Sequence, residues 1–357
     1  MSTTSTQYAL PKSGLADFIE TLARDYDCFG PVRSNGKTVW ARIADPGALD
    51  LQTLPTDLSP KAVFFPQTET LMRFDNRPGH PETGVMKEEK GPDRPVALIG
   101  IRPCDARAFR LLDDIFCPDE ESCDPYWSRR RKDALLVGLA CDSPGPACFC
   151  TAVGGGPFDP HGLDLLLTDL DDKYLVSPVS DRGASLAQEL DPAGREDLDR
   201  AEAMQERARI CLPEENLAAQ VADRDLDALY GSKIWERIAE TCLNCGACTF
   251  SCPTCHCFDI QDEVQGPKGR RLRVWDTCMS PLFTRHASGH NPRGTKADRV
   301  RQRFLHKLKY IPMKQAGKIG CVGCGRCVLQ CPVNIDIREV IQALDRAGEE
   351  ATQESAT

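Results

Sequence analysis

The chain has 357 residues, of which 41% are hydrophobic and 27% are charged, and its formal net charge is −9. This length exceeds that of one ordinary domain and the apolar content suffices for packed cores, so we expect two globular domains. The acidic balance and the few aromatic residues argue against nucleic-acid binding, since phosphate backbones attract basic surfaces.

The start of the chain and its apolar runs predict a cytoplasmic protein. The first seven residues are polar and uncharged and no apolar segment follows them, which argues against a signal peptide. The longest apolar run, at 134–140, is too short to span a membrane. We therefore expect the 19 cysteines to bind metal rather than form disulfides, because thiols stay reduced in the cytoplasm.

The first part of the chain alternates buried strands with helices. Apolar runs at 96–102 and 135–141 are typical of buried strands, and the spacing at 105–116 predicts a helix. A hairpin at 163–179 and a charged, mostly helical stretch at 181–210 follow. This order of elements predicts an α+β or α/β N-terminal domain.

Two copies of the spacing C-x2-C-x2-C-x3-C-P stand in the C-terminal part of the chain. This is the ligand pattern of a two-cluster ferredoxin, in which the fourth cysteine of each motif binds the other cluster. The pattern predicts two [4Fe–4S] clusters, each held by a crosswise group of cysteines. Group 1 consists of Cys242, Cys245, Cys248 and Cys331, and group 2 consists of Cys321, Cys324, Cys327 and Cys252.

A zinc ribbon is the alternative to these clusters. Two C-x2-C pairs close one tetrahedral zinc site, which would leave the third and fourth cysteines of each motif without a role. Gly246 and Gly325, each directly after the second cysteine of its motif, suit loops whose N–H groups approach cluster sulfurs. We therefore favour iron–sulfur clusters.

The patterns divide the chain into three expected parts. Residues 1–225 form the N-terminal domain, and residues 226–340 form a two-cluster ferredoxin-like domain with a long insertion at 253–318. An amphipathic pattern from residue 233 predicts a helix that leads into the first motif. Residues 341–357 form a polar tail, and we expect the part after Gly348 to be disordered.

The insertion is strongly basic. Between residues 268 and 318, fourteen Lys or Arg residues stand against two Asp residues. A helix predicted over 295–310 carries much of this charge. Two interpretations are open: a solvated face whose cations offset the charge of the clusters, or a docking surface for an acidic partner around Arg299, Arg301 and Arg303.

A third set of cysteines lies in the N-terminal domain. Cys104 follows the first predicted strand where a helix begins, and Cys141, Cys148 and Cys150 follow the next strand. Two strand ends can bring these thiolates together, and a helix N-terminus stabilises that of Cys104. We call these four residues group 3 and expect a third iron–sulfur cluster there. The alternative is ordinary packing, since the spacing matches none of the common ligand patterns of such clusters.

The remaining cysteines give weaker signals. Cys255, Cys257 and Cys278 are doubtful metal ligands, either together with His286 and His290 or, as we favour, as packing thiols near a cluster. Glycine and proline near the two histidines argue against the helix that would align them. Four further cysteines fit no pattern and receive no role: Cys28, Cys117, Cys123 and Cys211.

No nicotinamide-binding fingerprint accompanies the cysteine motifs. Neither predicted buried strand is followed by G-x-G-x-x-G, and the glycines at 154–156 fit a turn better than a phosphate loop. We assign no catalytic residue. An electron-transfer protein is therefore favoured over an independent enzyme.

Several segments together resemble one family. They are IRPCDARAF, DPYWSRRR, CDSPGPACFCTAVGGGP, CPTCHCFDIQDE, RVWDTC, GHNPRG and CVGCGRCVLQCPVNIDI. They resemble the β subunits of cytoplasmic sulfhydrogenases and NAD(P)-linked [NiFe] hydrogenases. They also resemble the iron–sulfur subunit of anaerobic sulfite reductase and the related ferredoxin-like subunit of flavin oxidoreductase–heterodisulfide reductase complexes. The resemblance spans residues 66–337, and it departs from the family at His256, where an aromatic residue is common.

The resemblance implies an electron-transfer subunit without a substrate pocket of its own. Such a subunit would relay electrons between a flavin- and NAD(P)-binding partner and a catalytic partner of the hydrogenase, sulfite reductase or heterodisulfide reductase type. The alternative is a flavin-containing catalytic subunit that reduces a deazaflavin-type or nicotinamide cofactor.

Overall fold

The computed structural model of the protein describes residues 6–213 and 217–355. Its strands in chain order are β1 (Tyr8–Pro11), β2 (Asp27–Ser34), β3 (Lys37–Arg42), β4 (Thr68–Asp75), β5 (Met86–Glu88), β6 (Val96–Ile101), β7 (Leu135–Leu139), β8 (Leu165–Asp169), β9 (Lys173–Pro178), β10 (Asp191–Pro192), β11 (Phe258–Gln265) and β12 (Lys268–Trp275). Its helices are α1 (Leu15–Leu22), α2 (Lys61–Phe64), α3 (Pro103–Phe116), α4 (Pro125–Arg131), α5 (Asp181–Ala187), α6 (Arg195–Ile210), α7 (Leu217–Asp223), α8 (Leu226–Gly231), α9 (Ile234–Thr241), α10 (Ala247–Phe250), α11 (Lys296–Leu305), α12 (Ile311–Lys314), α13 (Arg326–Leu329) and α14 (Ile337–Ser355).

An eight-stranded sheet organises the first part of the chain, in the order β10-β1-β9-β8-β7-β6-β2-β3. The strands β2, β6, β7 and β8 are parallel, and the flanking pairs are antiparallel. Every residue of β6 and β7 is buried, because helices cover both faces of a parallel sheet. Along β6, Ala97 and Ile99 join the core beneath α1, whereas Leu98 joins the core of α3. The predicted strands, the helix α3 and the mixed α/β class are confirmed.

A second, four-stranded sheet joins the basic insertion to the first part of the chain. Its order is β11-β12-β4-β5, so that β12 of the insertion pairs with β4. The completely buried Arg273 of β12 lies 2.5 Å from Glu69 of β4 and 2.5 Å from Asp124. Trp275 stacks on Phe65 with ring centroids 5.7 Å apart. This hairpin was not predicted from the sequence, and it ties part of the insertion to residues of the N-terminal domain.

Helices dominate the remaining C-terminal part. The helices α7, α8, α9, α11 and α14 contribute to one apolar core that includes Trp235, Phe304 and Ile341. The helix predicted over 295–310 is confirmed as α11 and the π-helical turn His306–Tyr310 that follows it. The helix predicted to lead into the first motif is confirmed as α9. No helix within the described ranges is both long and apolar enough to cross a membrane.

Two expectations from the sequence are wrong. The part of the tail after Gly348, which was expected to be disordered, is helical as far as Ser355, where α14 ends. The expectation for 356–357 lies outside the described residues. Cys117 and Cys123, which received no role, form a disulfide, because the turn between α3 and α4 brings them together. The cysteines therefore do not all serve as free thiols.

Candidate iron–sulfur centres

The two ferredoxin-type motifs adopt matching loops. Gly246 and Gly325 have φ angles of 76° and 74°, a left-handed conformation that favours glycine, and each begins a short helix, α10 or α13. The N–H of Asn244 points at the sulfur of Cys242 at 3.4 Å, and the N–H of Gly323 points at the sulfur of Cys321 at 3.5 Å. Amides directed at sulfur are what a bound cluster needs from its loop.

A cavity between α9, α11 and the two motif loops is lined by all four cysteines of group 1. Three of these come from the first motif and one comes from the second. The side chains of Val300, Arg303 and Phe304 form the α11 side of the cavity, and Ile238 forms the α9 side. Cys327 of group 2 lines the cavity as well, so the structure brings the four cysteines of group 1 together beside one cysteine of group 2.

The cysteines of group 2 also approach one another. Burial is the main cause that raises the pKa of Cys321, Cys324 and Cys327, and the nearby charge of Cys252 raises the pKa of each further. A hydrogen bond with Cys255 holds the pKa of Cys252 well below the usual thiol range. Buried thiolates need positive charge beside them, which iron supplies in a cluster. The donor set of both groups thus fits a [4Fe–4S] cluster.

The helix α11 and the π-helical turn supply further positive charge. Arg299, Arg303 and Lys307 recur every four residues and are buried on one face. Of these, Arg303 and Lys307 lie within electrostatic range of motif cysteines. Although burial opposes its charge, Cys248 and Cys327 raise the pKa of Arg303, so the guanidinium lies near both groups. The Nε of Arg303 has no hydrogen-bond partner among the residues that the structure describes.

This burial corrects the prediction of a docking surface. Arg299 and Arg303 are 5% and 6% exposed, and Arg301 is held by hydrogen bonds to Asp298 and to the Tyr230 hydroxyl. These residues therefore present neither a solvated face nor a free cationic surface to an acidic partner. The thiolates of Cys248 and Cys327 offset the charge of the buried Arg303, and Arg299 donates hydrogen bonds to the carbonyl oxygens of Arg293 and Gly294.

The four cysteines of group 3 lie in one neighbourhood. Cys104 and Cys150 are both within electrostatic range of Cys141. Cys148 is within the same range of Cys141 and Cys150. Burial raises the pKa of Cys141 to about 11 and that of Cys150 to about 12. The end of β7 and the start of α3 thus converge as the sequence predicts.

The loop of group 3 packs directly on the second motif. The Phe149 N–H donates to the Gly323 carbonyl at 2.8 Å. A Cβ on Gly323 would lie 2.5 Å from the backbone nitrogen of Cys150, and one on Gly325 would lie 2.5 Å from the Ala147 carbonyl oxygen. Only glycine allows this approach. Group 3 therefore neighbours group 2.

A buried ion pair fixes this contact. Arg326 of α13 and Asp105 of α3 form two hydrogen bonds of 2.6 and 2.7 Å, and both side chains are 1% exposed. The same guanidinium donates to the carbonyl and the hydroxyl of Thr56. Sequence reasoning missed this pair, although Arg326 stands inside the second motif and Asp105 directly follows Cys104.

The doubtful ligands do not form one set. Cys255 contacts Cys252, whereas Cys257 is hydrogen-bonded to Cys278. His286 and His290 lie in turns with their rings 5.4 Å apart. Among the described residues, no three cysteine, histidine or acidic side chains converge as the ligands of a single metal ion do. A four-iron cluster binds its thiolates through separate iron atoms and does not require such convergence.

The histidine that departs from the family pattern is half-buried. Burial lowers the pKa of His256 to about 4, so the ring is neutral near pH 7. Its ring packs against those of His306 and Phe116, with centroids 5.5 and 6.3 Å away. His256 thus packs as a neutral ring, as an aromatic residue would.

The fold and these centres define an iron–sulfur protein whose C-terminal part is a two-cluster ferredoxin-like domain. A family model described as a 4Fe-4S dicluster domain matches residues 241–335, which supports two [4Fe–4S] clusters. The chain is also 32% identical over 338 residues to the sulfhydrogenase 2 subunit beta of Pyrococcus furiosus, covering 93% of this chain and 96% of the relative. No solved structure matches the chain significantly.

The chain therefore belongs to the sulfhydrogenase β-subunit family. Its match to the family over nearly the whole length, together with the dicluster domain, identifies it as an iron–sulfur electron-transfer subunit. The predicted family, class of function and pair of [4Fe–4S] clusters are confirmed.

Proposed function

We propose that this protein relays electrons between a flavin- and NAD(P)-binding partner and a catalytic partner within a cytoplasmic oxidoreductase complex. The observation that carries the proposal is the contiguity of three cysteine groups: group 1 neighbours group 2 around Arg303, and group 2 neighbours group 3 through Cys104 and Cys324. The name of the relative, a sulfhydrogenase, favours a hydrogenase as the catalytic partner.

The ligand assignment is part of this proposal. Group 1 and group 2 each hold one [4Fe–4S] cluster with crosswise ligation, and group 3 holds a third iron–sulfur cluster. The four cysteines that line the group 1 cavity and the mutual proximity within the other two groups support it. Each cluster supplies one-electron redox chemistry, and the chain supplies ligands, amide hydrogen bonds and buried cations. The protein itself performs no substrate chemistry.

Electrons enter or leave at group 1. Cys245 is exposed, and Leu243 beside it is 63% exposed. Three of the four cysteines of group 2, by contrast, are buried, and the group 3 loop packs on the second motif. An exposed apolar side chain next to a cluster ligand suits a transient contact with a redox partner.

Anaerobic purification of the tagged full chain from its own cells tests the relay. We expect a flavin-containing protein and a catalytic protein to copurify in fixed ratio. The chain freed of them should keep its iron, lack flavin and fail to oxidise NAD(P)H. A free chain that binds flavin stoichiometrically and oxidises NAD(P)H as fast as the complex would contradict the proposal.

Iron analysis tests the third cluster independently. Relative to the wild type, the full-length Cys148→Ala variant should lose one cluster's worth of iron and sulfide, while Cys211→Ala, at an exposed cysteine outside the three groups, should lose none. Equal iron content in all three proteins would show that the group 3 cysteines are ordinary packing residues and bind no cluster.

A further inference from the structure

Two thiols outside the three groups lie against each other at the base of the β11–β12 hairpin. Phe258 is paired with Trp275 at the last position of the ladder, so both flanking segments leave the hairpin at the same end. The Asp276 N–H donates to the Cys257 carbonyl at 3.0 Å, which extends the pairing by one step. Two residues further on, Cys278 lies in the apolar core against which Cys257 packs, close enough for each thiol to shift the pKa of the other.

The segment that carries Cys278 packs on the group 1 loop. The Thr249 hydroxyl donates to the Thr277 hydroxyl at 2.7 Å, and Met279 lines the cavity formed by the group 1 cysteines. Cys278 itself is buried in the same apolar core as Cys242 and lies within electrostatic range of Cys248. The thiol pair is therefore adjacent to the site of one cluster.

We propose that Cys257 and Cys278 form a redox-active dithiol–disulfide couple that exchanges electrons with the cluster of group 1. The inference rests on the proposed function, because it requires clusters in groups 1 and 2. In the reducing direction the S–S bond breaks and each sulfur gains one proton from solvent and one electron, and the clusters of groups 1 and 2 would supply these two electrons. In the oxidising direction the two thiols lose these protons and electrons and the S–S bond forms.

The reduction potentials of the thiol pair and of iron–sulfur clusters are compatible. Dithiol couples in proteins have potentials of about −270 to −120 mV, which lie inside the range of roughly −700 to +450 mV covered by iron–sulfur clusters. A disulfide takes up two electrons, whereas a cluster carries one. The pair would therefore store two electrons beside a one-electron relay, and the half-buried Cys257 gives protons a route to solvent.

Electron counting on the intact complex tests the inference. In an anaerobic reductive titration, the wild type should take up two more electrons per chain than Cys257→Ser or Cys278→Ser, with the same iron content. The matched control Cys211→Ser changes a single exposed cysteine and should titrate like the wild type.

Peptide mapping of the wild type provides a second measurement that needs no variant. After alkylation of free thiols, the oxidised complex should yield a peptide crosslinked between residues 257 and 278, and the reduced complex should not. Equal electron uptake in all proteins, or no crosslink in the oxidised state, would overturn the inference. Loss of one cluster's worth of iron in both serine variants would also overturn it, because the two cysteines would then be ligands. These outcomes leave the relay itself intact, since it is tested by flavin content and copurifying partners.

Discussion

The two ferredoxin-type motifs share one spacing, but the structure surrounds their cysteine groups differently. Group 1 reaches the surface at Cys245 and lies beneath the exposed Leu243. Group 2 is enclosed: Cys252, Cys321 and Cys324 are buried, and the group 3 loop covers the second motif. Charges act more strongly on a buried group than on an exposed one, because the surrounding dielectric is lower. Although both groups consist of four cysteines, we therefore expect the group 1 cluster to exchange electrons with partners and the group 2 cluster to relay electrons inside the protein.

Removing ligands should have the largest effect and should show how the motifs are divided. Cys331→Ala and Cys245→Ala should abolish the same electron paramagnetic resonance signal, because both residues belong to group 1. Cys324→Ala should abolish the other signal, although it shares a motif with Cys331. Spectra of the dithionite-reduced variants make the comparison. Loss of one common signal in Cys331→Ala and Cys324→Ala would mean that each motif binds its own cluster.

Breaking the buried ion pair should affect group 2 before group 1. Asp105→Asn leaves the Arg326 guanidinium buried without its counter-charge, which typically costs about 3–5 kcal/mol. Thermal unfolding followed by iron release should show a lower Tm and earlier loss of the group 2 cluster. The control is Asp114→Asn, which removes the surface partner of Lys318 and should cost at most about 1 kcal/mol. Equal Tm shifts in both variants would show that the buried Asp105–Arg326 pair contributes no more to stability than the surface pair.

Much of the architecture follows from local patterns. The strands β6 and β7 are continuous apolar runs, and the cysteine spacing alone predicts the crosswise division into groups 1 and 2. The helix α14 could also have been predicted from the sequence. Ile337, Val340, Ile341 and Leu344 have helical spacing on one face, and all four are buried. The polar residues after Gly348 led to the wrong expectation of disorder there, although α14 continues to Ser355.

Other features depend on contacts between distant segments. The pairing of β12 with β4 joins residues about 200 positions apart, which no local period reveals. Buried cations are equally difficult to predict from the sequence, because basic residues usually lie at the surface. Arg303 is buried because thiolates of both motifs lie beside it, and those thiolates converge only in the folded chain.

Neutralising that cation should shift cluster potentials without removing a ligand. In Arg303→Gln, a charge interaction of about 2 kcal/mol is lost at an effective dielectric constant near 20. The reduced cluster is the more negative form, so its potential should fall by roughly 90 mV for a one-electron couple. Redox titration followed by paramagnetic resonance measures the shift, and the exposed Arg285→Gln is the control. A potential that does not fall would show that Arg303 serves packing alone.

The smallest effect should come from the exposed end of the relay. Leu243→Asp places a charge on the apolar contact beside Cys245 and should slow electron exchange with the redox partner several-fold, since a lost apolar contact is worth about 1 kcal/mol. The potentials and spectra of the clusters should stay unchanged, because Leu243 binds no metal. Leu282→Asp changes a residue of similar exposure, 67%, and is the matched control. Stopped-flow reduction of the reassembled complex measures the rates. A slower rate in Leu282→Asp with a normal rate in Leu243→Asp would place the exchange site on the segment after β12 instead of at group 1.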